Sequence, residues 1–150
     1  MPRLIFFGLS QKAIIDKMDG NVSMIVLLHA IHIQFPEGQT VPIDMVAPLP
    51  WASVATWHPE AEDTDKAFQS KIELLSPSGA VHTTLVGEPF MLPGRVYTSV
   101  SNSPVTPVGE QGIYTVKAYL REIAEGSDWN EHGQAEISVF HILQKEGQGG

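Results

Sequence analysis

The stretch Glu110-Gln111-Gly112-Ile113-Tyr114-Thr115-Val116 decides the fold. It reads acid-x-Gly-x-Tyr-x-apolar and follows a loop punctuated by Pro104 and Pro107. A tyrosine placed two residues after such a glycine, at the start of a strand in a two-sheet sandwich, turns its hydroxyl back onto nearby backbone and fixes the corner where the chain changes sheets. The stretch therefore predicts a strand from Gly112 to Glu122, with one further strand after it, and it carries no chemistry of its own.

Working outward, the rest of the chain also reads as strands. Glu136 to Gln144 is the last of them. Upstream, Arg95 to Asn102 forms another, and Phe68, Ile72 and Leu74 alternate with Gln69, Lys71 and Glu73, the pattern of a half-buried strand with one wet face. Ser76-Pro77-Ser78-Gly79 is a turn by composition, because Pro presets φ and Gly accepts φ > 0; it joins that strand to Val81–Glu88 as a hairpin. A strand from Trp51 to Trp57 places Trp51, Ser53, Ala55 and Trp57 on one face. Before it runs a long connection, 34–50, broken by Pro36, Pro42, Pro48 and Pro50. The nearly continuous apolar run Val22 to Ile33 reads as one central strand, bounded by Asp19-Gly20-Asn21 and Phe35-Pro36-Glu37-Gly38. A short run, Lys12 to Asp16, precedes it. Short strands separated by turn signals predict an all-β fold, an immunoglobulin-like antiparallel sandwich of about 7–9 strands.

Bulk numbers suit one domain, 1–144, followed by a flexible Gly-rich tail, 145–150. A chain of 150 residues buries roughly 68–70% of its unfolded surface, enough for a self-sufficient core. The formal charge of −8, with nine Lys and Arg scattered singly, argues against nucleic acid, which needs a basic patch. Acids gather in Glu60, Glu62, Asp63 and Asp65 and again from Glu122 to Glu136; both runs read as solvated loops. There is no cysteine, hence no disulfide framework, thiolate metal site or Cys nucleophile. The apolar start Leu4-Ile5-Phe6-Phe7 is too short for a signal peptide, and no run approaches the roughly 18–20 residues of a membrane span, so a cytoplasmic protein without membrane contact is expected.

The segments Ala13-Ile14-Ile15-Asp16 and Asn21-Val22-Ser23-Met24-Ile25-Val26, continuing to Pro36, together with the Pro77-Ser78-Gly79 turn, resemble a family of small uncharacterised bacterial and phage-associated proteins. The resemblance covers about two-thirds of the chain in loose pattern and implies an all-β immunoglobulin-like fold; that family has no assigned activity to carry over. Many of its members have a Cys near the first strand, which this chain lacks.

Enzymatic chemistry finds little footing. No Gly-x-Ser-x-Gly elbow is present, and Gly147-Gln148-Gly149-Gly150 opens no helix that could hold phosphate. His29 and His32, three apart on a strand, point to opposite faces and cannot share a metal. His82, His132 and His141 have no ligand spacing, and His141 between Phe140 and Ile142 reads as a hydrogen-bonded core or interface residue. Asp63-Thr64-Asp65 lacks the glycine and distal glutamate of a calcium loop. No catalytic residue, cofactor or metal is expected; an enzyme or metal-binding protein using its histidines remains an alternative.

A binding module is the stronger reading. The loop Ile123 to Gly133 joins the last two strands and carries Trp129 flanked by Asp128 and Glu131. Trp is a preferred interface anchor, and acids beside it suit a basic protein partner. The opposing reading folds Trp129 back over the sandwich. Val22–Ile33 and Ile137–Leu143 are apolar on both faces, so either Pro48-Leu49-Pro50 or a second copy must cover one of them. The terminal Gly149-Gly150 raises a third possibility, a modifier-like tail conjugated or recognised through its glycines.

Overall fold

The structure, a computed structural model, describes residues 1–16, 18 and 21–144; the expected tail with Gly149 and Gly150 lies outside the described residues. Among the described residues there are twelve strands: β1 (Arg3–Ile15), β2 (Val22–Leu27), β3 (Ala30–Pro36), β4 (Val46–Ala47), β5 (Trp51–His58), β6 (Ala67–Leu75), β7 (Val81–Val86), β8 (Phe90–Met91), β9 (Tyr97–Ser103), β10 (Thr106–Pro107), β11 (Gly112–Glu122) and β12 (Asn130–Gln144). β4, β8 and β10 have two residues each and went unread in the sequence. One sheet has the order β2-β1-β5-β9, the other β3-β12-β11-β6-β7 with β8 beside β6, and β4 pairs with β10. The fold is an all-β sandwich. Its ladders are antiparallel except β3–β12, which is parallel. Among the described residues no helix is long and apolar enough to cross a membrane.

Alternation builds the core. Phe68, Ser70, Ile72 and Leu74 on β6 and Tyr114, Val116, Ala118 and Leu120 on β11 are buried, while the residues between them are half-buried. Opposite them lie Leu9, Trp51, Ala55 and Trp57. Each indole has found a polar partner: Trp51 Nε1 donates to the Val105 carbonyl at 3.0 Å and Trp57 Nε1 to Ser99 Oγ at 3.4 Å. That is how a buried indole avoids an orphaned donor. Leu4 and Phe7 pack against both core clusters. Ala52 and Val54 on the opposite face of β5 are also buried, and the Phe6 ring reaches to within 2.9 Å of where a Cβ on Gly8, the register partner of Val54, would sit.

The tyrosine corner is present. The Tyr114 hydroxyl accepts a 3.0 Å hydrogen bond from the backbone N–H of Glu110, and the ring is 2% exposed. Gly112 lies between them at φ 138, a conformation an L side chain rarely adopts, and a Cβ there would press on Pro77 at 3.1 Å. Burial raises the Tyr114 pKa, so the ring works as a neutral phenol. Tyr114→Phe leaves the Glu110 N–H without this partner and is expected to cost about 1 kcal/mol or more in urea denaturation. An unchanged midpoint would show that the corner is decorative.

The run Val22–Ile33 is not one central strand. It breaks at Leu28-His29, where the Leu28 N–H bonds to the Leu9 carbonyl and the His29 carbonyl accepts from the Ser138 N–H, at 2.9 Å each. The chain thus crosses between sheets, and β2 and β3 are edge strands of different sheets. β3 does alternate, with Ile31 and Phe35 buried and His32 and Gln34 exposed. A continuous apolar run does not distinguish one buried strand from two edge strands joined by a crossover.

The first strand runs from Arg3, well before the expected Lys12, and the last begins at Asn130 rather than Glu136. The long connection through residues 37–50 is pinned down. Val108 N–H bonds to the Met45 carbonyl at 2.9 Å, and Thr106 Oγ1 donates to the Leu49 carbonyl at 2.5 Å. Gly109 is buried against the Pro42–Ile43 backbone, where an added Cβ would meet the Ile43 carbonyl. Pro48-Leu49-Pro50 is therefore held at β10. Ile25, Val26 and Leu27 on β2 and Phe140, Ile142 and Leu143 on β12 stay exposed.

Candidate interaction surface

The outward face of β6 and β11 carries the polar half of the alternation. Gln69, Lys71 and Glu73 stand on β6, and Lys117, Tyr119 and Arg121 on β11; the register sets Arg121 opposite Gln69, Tyr119 opposite Lys71 and Lys117 opposite Glu73. Arg121 donates to Gln69 Oε1 from Nε at 3.2 Å and from Nη2 at 2.7 Å. Gln69 is in turn held by its Nε2 on the Gly87 carbonyl at 3.0 Å. Lys71 pairs with Glu73 at 3.6 Å.

Trp129 lies across this face. Its ring centroid is 4.4 Å from the Arg121 guanidinium and 4.8 Å from Lys71 Nζ, and Lys71 also sits 4.6 Å from the Tyr119 ring centroid. Aromatic and cationic groups thus alternate as Tyr119, Lys71, Trp129, Arg121. Each contact brings a cation to the electron-rich face of a ring. Trp129 is half-buried, and burial, then the Glu73 carboxylate, raise the Tyr119 pKa.

The joining loop is shorter than expected. β12 begins at Asn130, so Glu131 and His132 are strand residues and not part of a loop ending at Gly133. A bulge between Ala118 and Tyr119 sets Gly133 opposite the first and Glu131 opposite the second, leaving His132 as the extra residue. Such a bulge re-aims side chains. Here Glu131 turns out beside Lys117, 3.3 Å away. His132 turns in, edge-on to Trp57 at a centroid distance of 5.2 Å, with Nε2 buried and unpartnered. Burial, and to a lesser degree the Met1 amine, push the His132 pKa below its usual value. Asp128 is exposed, and its backbone carbonyl accepts from Asn130 Nδ2 at 3.2 Å. The structure thus brings Trp129 and Glu131 onto one face with Asp128 at its rim.

Other candidate positions are structural. Asp63 is not a solvated loop acid. It is fully buried, its Oδ2 accepts from the Glu60 N–H at 2.7 Å, and its Oδ1 lies 3.1 Å from the Met1 amine, an ion pair that satisfies an oxygen otherwise without a hydrogen bond. His29 sits at the crossover, off any strand, and His32 stacks on Phe140 at 5.0 Å. His141 bonds through Nε2 to the Val108 carbonyl at 2.6 Å and meets the Phe35 ring edge-on, so it is a hydrogen-bonded, half-buried residue. Among the described residues no three His, Cys, Asp or Glu are grouped to hold a metal. A cavity of about 290 Å³ beside the crossover is lined by Leu28, Ile31, Leu49 and Pro50, with His32 its one titratable side chain.

Lys71, Tyr119 and Arg121 were missed as members of the site. Their outward alternation is visible in the sequence, but the register that stacks them under Trp129 is a tertiary fact. No known protein family and no curated protein matches this chain.

Proposed function

We infer that the chain is a non-enzymatic binding module that engages a protein partner through Trp129, with Asp128 and Glu131 beside it. The observation that carries this reading is an indole held in place by two cations while part of it stays open to solvent. An anchor already fixed in its bound orientation loses little entropy on association. Glu131 is shared with Lys117, so it orients the rim, whereas exposed Asp128 and Glu125 are the acids left for a basic partner.

Wild-type and Trp129→Ala protein, immobilised as baits in cell lysate and compared by quantitative mass spectrometry, test the reading. A partner held by wild type should be weakened at least about 30-fold by the substitution, the equivalent of about 2 kcal/mol for an interface anchor. Folding stability should fall by only about 1–2 kcal/mol, the worth of two cation–π contacts at a partly exposed site. Asp128→Asn should slow association more than it speeds dissociation. Equal recovery of the same proteins on both baits would refute the assignment.

A further inference from the structure

The hairpin formed by β1 and β2 outruns the sandwich. β1 pairs with β5 only as far as Ser10, and from Lys12 to Ile15 it pairs with β2 alone. A two-stranded ribbon is marginally stable in water without further support. β2 ends its sheet, so its outer backbone edge meets no strand among the described residues. Val22 and Met24 are half-buried, but Ile25, Val26 and Leu27 are open, from 43% at Ile25 to 66% at Leu27, and Ile14, Ile15 and Met18 are exposed on the same hairpin.

Sheet edges usually carry a Lys, a Pro or an inward charge that blocks further pairing. Val22-Ser23-Met24-Ile25-Val26-Leu27 carries none of these. β9, at the far edge of the same sheet, runs instead through the mostly polar Thr98-Ser99-Val100-Ser101-Asn102. Val26, at φ 59, kinks the strand and bounds the regular edge at Val22–Ile25.

Charge selects the occupant. The chain carries −8, yet residues 10–27 hold two Lys (Lys12, Lys17) and two Asp (Asp16, Asp19), a net charge of zero. Two copies repel each other over most of their surface but not here, and an uncharged strand offers a foreign protein no charge pattern to select.

We propose that this edge joins two copies of the chain, β2 of one lying antiparallel to β2 of the other across a two-fold axis and fusing the two four-stranded sheets into one. Such an interface is self-complementary by symmetry. It lies apart from Trp129, so it stands or falls independently of the partner-binding reading.

Sedimentation of the full chain over about 1–200 µM should show a monomer–dimer equilibrium with a Kd on the order of 10 µM. Ile25→Lys should raise that Kd at least about 30-fold by placing a charge on the edge. The chain has no cysteine, so Ser23→Cys should be joined into a covalent dimer by a short bis-maleimide, while Asn102→Cys on β9 should not. A wild-type monomer throughout, a dimer indifferent to Ile25→Lys, or equal crosslinking at both cysteines would each overturn the proposal. Should Ile25→Lys fail to fold, the cysteine pair still decides.

Discussion

Gly109→Ala is expected to destabilise the protein by about 3 kcal/mol, the upper range for forcing an atom into filled space. The added Cβ would meet backbone, with the Ile43 and Pro42 carbonyls both too close for any real carbon. A side chain could rotate aside; this backbone is tied, because the Met45 carbonyl accepts from Val108 and the Leu49 carbonyl from Thr106. Relief therefore means lifting the Pro-rich connection off the sandwich. For a chain of this size the melting temperature should fall by about 6–12 °C. A loss under about 1 kcal/mol would mean that residues 42–49 detach freely.

Trp57→Ala should cost about 3–5 kcal/mol, as deletion of a fully buried indole does. It should also change how stability depends on pH. In the native protein burial lowers the His132 pKa, so below about pH 6.5 the unfolded chain binds a proton that the folded chain resists. Stability is therefore full above that pH and declines as pH falls through it towards the lower folded value. Trp57 supplies one wall of the imidazole's enclosure. With the indole gone, water reaches the ring, its pKa returns towards the unfolded value, and the acid-side slope of stability should flatten. Urea titrations at several pH values between about 5 and 8 read both effects, and His132→Gln should flatten the slope without the large loss. An unaltered slope in both variants would remove His132 from the account.

Local chemistry made much of the fold legible. Gly112 and Tyr114 announced the corner, and Ser76-Pro77-Ser78-Gly79 closes its hairpin with Gly79 at φ 90. β11 begins and ends where its alternation does. What the sequence hid was non-local. The crossover at Leu28-His29 is held by Leu9 and Ser138, residues remote in the chain, and no local pattern marks it. The site divided along the same line. Trp129 stood out as an aromatic among polar residues. Its partners Lys71 and Arg121, like the bulge that sends Glu131 and His132 to opposite sides, follow from the pairing of β6, β11 and β12 and from nothing nearer. Asp63 misled for the same reason, since one acid in an acidic run looks like its neighbours until a tertiary contact buries it.

The parallel pairing of β3 with β12 also orders events during synthesis. Ala30–Pro36 finds its neighbour only in Ser138–Gln144, at the other end of the described chain. At a ribosomal rate of about 5–20 residues per second, roughly 5–20 s separate the emergence of β3 from that of β12. Through that interval β1 and β2 can already pair with each other and with β5, but β3 has no strand to close against, and sheets built from such distant pairings are slow to form even then. The second sheet therefore keeps an unfilled edge beside β3 until Ser138–Gln144 has emerged, and the sandwich closes only then.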